Sequence, residues 1–233
     1  MAIRPAMKAI VFDMNETMLD MSALDPAFAE IFGGDGPQSR KQWFNQLLQL
    51  FMTASITGNY QNFDELADDS LQMLAALRGK ELTSADWSVL KEAQSRIRAY
   101  PDVGPGLARL KEAGLTVATL TNSTEAGADR LLGNAGIRAY FDRLLSVDTV
   151  KRYKPGAEAY EYAARELDVN ADEMILVAAH SWDIAGALAF GCRAGFVARP
   201  GKALSPVLRP DFETKDVASM AEAILSARAG VAE

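Results

Sequence analysis

Cysteine is almost missing from this chain: Cys192 stands alone among 233 residues, which excludes an internal disulfide and a thiolate metal cluster. Set in AFGCRAGF between a helical and a strand-like stretch, it reads as a small core residue. A basic block is missing too. With 24 Lys and Arg against 31 Asp and Glu, a net charge of −7, the chain presents no electrostatic footprint for nucleic acid or an anionic membrane. No apolar run approaches the roughly 18 residues of a membrane span. The opening MAIRPAMKAIVFD lacks the long apolar core and small-residue cleavage site of a signal peptide, so a cytoplasmic protein is expected. Internal repeats and low-complexity tracts do not occur. What is present is a 49% hydrophobic composition, enough for a sizeable core, either as one domain with an insertion or as two small domains.

The chain is organised around Lys8 to Asp20, KAIVFDMNETMLD. Ala9, Ile10, Val11 and Phe12 form a continuous apolar run, the mark of a strand buried on both faces of a parallel sheet. Asp13 follows at its carboxyl end, where open α/β sheets place their ligand crevice; the plainer reading is that Asp13 caps the turn. The next 80 or so residues are helical in pattern. Trp43, Phe44, Leu47, Leu48 and Phe51 recur at three- and four-residue steps, as do Phe63, Leu66, Leu74 and Leu77, then Trp87, Leu90, Ala93 and Ile97. Asn62 with Glu65 and Thr83 with Asp86 have capping-box spacing, and glycines at 33, 34, 36 and 58 mark loops. From Pro101 helices and strands alternate: a helix over Val103 to Leu110, the strand LTVATLTN, a helix from Thr124 to Leu132, and a short strand at 144–147. A helix over Ala157–Leu167, the strand MILVAA at 174–179, a helix at 183–190 stopped by Gly191, a strand over Arg193–Val197 and a last helix over Val217–Leu225 complete it. This rhythm predicts an α/β fold, a doubly wound parallel sheet, with a lid-like all-helical insertion after the first strand.

In such a sheet the residues after each strand converge on one edge. Four clusters then meet: Asp13 to Thr17, Thr121 with Asn122 and Ser123, Lys154 with Pro155, and His180, Ser181, Trp182 and Asp183. Each has a structural alternative. Asn122 with Glu125 fits a capping box, Lys154 can be a solvated loop lysine, and Asp183 can cap its helix. Their joint arrival at one edge favours chemistry.

At these residues the chain resembles the haloacid dehalogenase superfamily, over nearly its whole length: DMNET after strand one, LTNS, the KP lysine with Tyr160 six residues on, WDIAGA, and the helical insertion in the place of that superfamily's cap. The resemblance implies a Rossmannoid core over 1–20 and 99–233 and a helical cap over 21–98. The superfamily's phosphatases carry a second acid two residues after the nucleophile and an acidic pair in the last motif for magnesium. Here position 15 is Asn and the residue three before Asp183 is His180, so oxygen ligands are short by at least one carboxylate. The last motif looks like that of the 2-haloacid dehalogenases, with Trp182 and Asp183 in place, Ala178 for a serine and His180 for an asparagine.

That resemblance implies an (S)-2-haloacid or haloacetate dehalogenase, with no metal and no cofactor, acting on a small halogenated carboxylic acid. Asp13 attacks the halogen-bearing carbon and water hydrolyses the resulting ester; Lys154 keeps Asp13 ionised; backbone amides of Met14, Asn15 and Asn122 with the Thr121 hydroxyl grip the substrate carboxylate. Thr17 and Tyr160 belong to the same set. Asp183 either orients Lys154 or activates the water, and His180 either shares that second role or faces the halide. Where the family's cap helix has an arginine after a tryptophan, Trp43 is followed here by Phe44, and Arg40 is the substitute cation on offer. The exchanges at 44 and 180 imply a tight pocket favouring haloacetates, with fluoroacetate a candidate. A magnesium-dependent phosphatase and a non-catalytic binding protein are the competing functions. The aromatic-rich cap helix suggests a homodimer face.

Overall fold

In the computed structural model, which describes residues 6–229, the apolar run forms β1 (Ala9–Phe12), and all four side chains are buried. The ends of the expected core, residues 1–5 and 230–233, lie outside the described residues, as does part of the opening stretch read for a signal peptide. β1 is central in a six-stranded sheet with β4 (Thr116–Thr121), β5 (Arg143–Ser146), β6 (Met174–Ala178), β7 (Arg193–Val197) and β8 (Phe212–Thr214). The order is β5-β4-β1-β6-β7-β8, every pairing parallel, with Val11 opposite Ala118 on one side and Leu176 on the other. The chain builds outward from β1 through β4 to β5, then crosses to β6. That reversal opens a crevice at the carboxyl ends of β1, β4 and β6.

Alternate side chains of the strands feed two cores. Ile10 and Phe12 pack with α5 (Val103–Glu112) and α9 (Val217–Ala229) through Val103, Leu107, Val217 and Met220. Val11 and Leu176 face the other way, onto α7 (Ala157–Glu166) and α8 (Ser181–Phe190) through Ala159, Tyr160, Ile184 and Ala187. α6 (Glu125–Asn134) follows β4.

The helical excursion leaves and re-enters on a two-stranded antiparallel stem, β2 (Leu19–Asp20) with β3 (Arg98–Ala99). It comprises α1 (Asp25–Phe32), α2 (Gly36–Thr57), α3 (Phe63–Leu77) and α4 (Ser84–Ser95). Both expected capping boxes form: Glu65 N donates to Asn62 Oδ1 at 3.1 Å while Asn62 N donates to Glu65 Oε2 at 2.8 Å, and Thr83 and Asp86 repeat the exchange.

Several local expectations change. Thr124, not Asn122, caps α6, its hydroxyl accepting from Gly127 N at 3.2 Å, and α6 runs past Gly133. α8 begins at Ser181, two residues early, and Asp183 does not cap it. β5 lies one residue earlier than expected and α4 ends before Ile97. α1, β8 and the β2–β3 stem have no counterpart among the elements expected from the sequence. The aromatics of α2 turn inward: Phe51 stacks on Tyr153 with centroids 4.2 Å apart and Trp43 meets Phe28 at 5.5 Å. They therefore do not make the outward dimer face.

Packing between α7 and α8 leaves no room at Gly186, where a Cβ would lie 2.6 Å from Pro155 Cβ and 2.8 Å from Tyr160 Cε2. A Cβ at Gly104, in α5, would meet nothing within 4 Å. Gly186→Ala is expected to lose roughly 1–3 kcal/mol of stability by overpacking, while Gly104→Ala is neutral or gains up to about 1 kcal/mol. Urea denaturation of both variants checks the contrast.

Candidate active site

Asp13 is delivered by β1 and held by its neighbour strand, its N–H donating to Val177 O at 3.0 Å. The turn after it folds back so that the Thr17 hydroxyl donates to Asp13 Oδ2 at 2.6 Å and accepts from Ala179 N at 2.9 Å, joining the ends of β1 and β6. Lys154 arrives from the loop before α7. Its Nζ lies 2.9 Å from Asp13 Oδ1 and 2.6 Å from Asp183 Oδ2, with side-chain exposures of 0% for Lys154 and Asp183 and 7% for Asp13. Tyr160 donates to the other Asp183 oxygen at 2.7 Å. Asn122 Oδ1 accepts from Lys154 N at 3.0 Å, so the amide fixes the lysine's backbone. The solvated-lysine and helix-capping alternatives therefore fail: both side chains turn inward.

One ammonium between two carboxylates splits their behaviour. Burial pushes the Asp13 carboxyl up, but the Lys154 charge, His180 and the Thr17 hydrogen bond outweigh it and hold Asp13 below its ordinary value. Asp183 goes the other way, raised by burial and by the nearby Asp13 charge against the opposing pull of Lys154. Lys154, despite burial, is raised by its two carboxylates and stays charged. Asp13 is thus the ionised, partly accessible carboxylate, and Asp183 the enclosed one.

His180 ends the loop after β6 and is the residue from which α8 starts. Its ring lies between Phe44, at 5.7 Å and 29°, and Trp182, at 5.1 Å and 24°, forming an aromatic wall beside Asp13. Nε2 is 3.1 Å from Asn15 O, which can only accept, so Nε2 carries the hydrogen and donates it there. Burial lowers the His180 pKa, with the Asp13 charge opposing, and the ring is neutral at pH 7. That Nε2–H is engaged with a carbonyl and not open to a departing halide.

Arg40 does not stand free near Asp13. Its guanidinium bonds Asp25 Oδ1 at 2.5 Å and Glu16 Oε1 at 2.9 Å. Glu16 also pairs with Lys202, whose Nζ sits 5.6 Å from the Phe44 ring centroid, and lies 3.9 Å from His180 Nε2. Glu16 holds φ +59°, the left-handed region. Beneath it Arg199 donates to Thr17 O at 2.9 Å and clamps Asp102 with two bonds of 2.8 and 2.9 Å. Sequence reasoning misses Glu16 as an ion-pair centre, and Lys202 and Arg199 altogether. The strand-end rule reaches the last two when extended to the loop after β7.

Thr121 is buried, its hydroxyl accepting from Ser123 N at 3.1 Å. Met14 turns its side chain into the core. Asn15 Nδ2 reaches Ser123 Oγ at 3.4 Å, while Asn15 Oδ1 and Trp182 Nε1 are buried without a hydrogen-bond partner. A cavity of 590 Å³ between the helical excursion and α6 touches this edge only through Asn15 and Ser123 and does not reach Asp13. Among the described residues no group of three His, Cys, Asp or Glu side chains is placed to hold a metal ion.

Residues 7–191 match the family model described as haloacid dehalogenase-like hydrolase. The chain is 31% identical over 227 residues to an (S)-2-haloacid dehalogenase of Pseudomonas sp. (strain YL), covering 97% of each chain. It is 27% identical over 206 residues to haloacetate dehalogenase H-2 of Moraxella sp. (strain B), covering 88% of this chain and 92% of the relative. Among solved structures, the L-2-haloacid dehalogenase RSc1362 superposes with a TM-score of 0.89 at 25% identity, covering 95% of this chain and 100% of the other.

His180 is the one histidine of the chain, so its proton linkage can be isolated. A pKa lower in the folded than in the unfolded state contributes stability that is present above the ordinary histidine value and is lost as pH falls. Wild-type stability is expected to drop more steeply than that of His180→Gln between about pH 7 and 5. Denaturant midpoints across that range measure the difference.

Proposed function

The chain belongs to the haloacid dehalogenase-like hydrolases, and from that premise we propose that it is a hydrolytic dehalogenase converting short 2-haloacids, haloacetates among them, to 2-hydroxy acids. The observation that carries this reading is an ionised Asp13 at the crevice, with Lys154 bridging it to Asp183.

The Asp13 carboxylate attacks the carbon bearing the halogen from the side opposite the leaving group; the C–O bond forms as the carbon–halogen bond breaks and halide departs with the electron pair. A water then adds to the ester carbonyl carbon, the ester C–O bond to Asp13 breaks, and the hydroxy acid leaves with Asp13 restored. Holding carboxylate and carbon in attack geometry is worth roughly 7–11 kcal/mol. The Thr121 hydroxyl and the backbone amides of Met14, Asn15 and Asn122 grip the substrate carboxylate. Both Asp183 oxygens are taken, by Lys154 and Tyr160, which favours Asp183 as the group orienting Lys154. One of the water's protons goes to the departing alkoxide oxygen; the other is taken by Nδ1 of the neutral His180 ring, since Nε2 keeps its hydrogen on Asn15 O, and passes to solvent. Residues 21–98 act as a cap over the core of residues 6–20 and 99–229, and Arg40, Phe44 and Trp182 close the pocket. Cap opening admits substrate and closure excludes bulk water.

A magnesium phosphatase is disfavoured, because Asn15 replaces the acid that would protonate the leaving alcohol, His180 replaces a carboxylate that would hold the ion, and Lys154 occupies the space between Asp13 and Asp183. Cytoplasmic residence and self-association remain part of the proposal; a sedimenting mass of two chains supports the dimer and a monomer overturns it. Halide release with and without chelator tests the activity itself.

Asp13→Asn is expected to abolish turnover with the fold unchanged by circular dichroism. In a single turnover in heavy-oxygen water the wild type should place no label in its first product molecule, whose new oxygen comes from Asp13. Label there means direct water attack. Lys154→Met should lower kcat on the order of 10²-fold or more; a loss below tenfold at saturating substrate assigns Lys154 a structural role only.

A further inference from the structure

The cavity beside the site is too large and too apolar to belong to a haloacetate. A cleft of 590 Å³, open to solvent at one side, lies between α1, α3, α4 and α6, within the size range of small-molecule sites. Phe28, Leu71, Leu90 and Ile97 on its walls are buried, and Trp43 and Trp87 are half-buried. The wall is held in place before any ligand arrives: Trp43 Nε1 donates to Ala67 O at 3.0 Å and Ser70 Oγ donates to Trp43 O at 2.8 Å. Charged residues, Asp64, Asp68, Lys91 and Arg130, stand at its mouth and are mixed in sign, so its chemistry does not suit a second anion.

Its inner end is where the catalytic edge begins. Asn15 and Ser123 line the cavity; in the chain Asn15 comes two residues after Asp13 and Ser123 directly after Asn122. The bond joining them is 3.4 Å, at the long limit for a hydrogen bond, and Asn15 Oδ1 beside it has no partner. A clasp this weak parts at small cost.

We propose that this cavity is a tail pocket: it receives an apolar alkyl or arylalkyl substituent carried on the α-carbon, so that the enzyme takes longer 2-haloacids in addition to the short ones. The proposal rests on the dehalogenase reading for its chemistry and on the continuity through Asn15 and Ser123 for its occupant. The tail passes between these two residues and lies against Trp43 and Leu71 while the α-carbon stays at Asp13. Short acids leave the pocket unused.

Halide release from bromoacetate, 2-bromopropionate, 2-bromohexanoate and 2-bromooctanoate would be compared in the wild type, in Ala67→Phe, which fills the pocket from α3, and in Leu71→Phe as a second filling variant in case the first does not fold. Against the preference for haloacetates that the exchanges at 44 and 180 imply, each methylene beyond the propionate should raise kcat/KM about fourfold, and the filled variants should keep bromoacetate turnover within twofold while losing tenfold or more on 2-bromohexanoate. A wild-type rate that falls steadily with chain length, or filled variants that treat all substrates alike, overturns the tail pocket. If bromoacetate itself yields no halide the dehalogenase reading fails, and the pocket is then judged by octanoate binding followed by tryptophan fluorescence: saturable quenching that is lost in Ala67→Phe upholds it, and no quenching rejects it.

Discussion

An ammonium group with no solvent exposure, shared between two carboxylates, is the constraint on which the rest of this structure depends. Removing Lys154 from water is favourable only because Asp13 and Asp183 stand 2.9 and 2.6 Å from its Nζ, since an uncompensated buried charge costs several kcal/mol. The three groups come from three separate βα connections, so the pair of contacts fixes the relative positions of the ends of β1 and β6 and the loop before α7. Tyr160 and Asn122 extend the same logic by satisfying the second Asp183 oxygen and the Lys154 backbone. The net charge of the triad is −1, and the environment distributes it unevenly, lowering Asp13 and raising Asp183. A single lysine thereby makes one acid a nucleophile and the other its support.

The sheet topology explains why the acid at the end of β1 holds this position. Since strands are added on both sides of β1, its carboxyl end is the point where neighbouring loops diverge, and Asp13 meets side chains from the connections on both sides, which a residue after β5 or β7 would not. Burial of all four β1 side chains keeps that point rigid, and the Thr17 hydroxyl, donating to Asp13 and accepting from Ala179, stops the two strand ends from sliding apart.

Much of this is legible in the sequence because it is local. The run AIVF followed by an acid, the two capping boxes and the βα alternation each depend on residues a few positions apart, and strand-end convergence turns them into one site containing Asp13, Thr17, Lys154 and Asp183, to which the family resemblance adds Tyr160. What escapes is short, half-exposed or long-range. β8 is a three-residue edge strand with no fully buried residue, and the two-residue stem β2–β3 has no periodicity to read. The Glu16 to Lys202 pairing joins positions 186 apart, so no spacing rule reaches it. The sequence offers Arg40 as a cation near the site, but its engagement with Asp25 and Glu16 is a matter of where α1 and α2 lie, and α1 is too short to declare itself by periodicity. The Asn122 cap fails because its side chain has a better partner in the Lys154 amide, which frees the cap position for Thr124.

Glu16 shows how the two parts of the molecule are coupled. It sits in the turn of the nucleophile, at a positive φ that disfavours side chains, and its carboxylate bonds Arg40 from the helical excursion and Lys202 from the loop after β7. Lys202 in turn lies over Phe44, and Phe44 stacks on His180. The aromatic wall and the ion pairs thus form one continuous set of contacts between excursion and core, running directly past Asp13. Separating the two parts breaks the Arg40 bond and the Phe44 stack together, which exposes His180 and the nucleophile to water in the same movement. The strain at Glu16 persists because a side chain at that position, in the turn that follows Asp13, joins a cation on each side of the crevice.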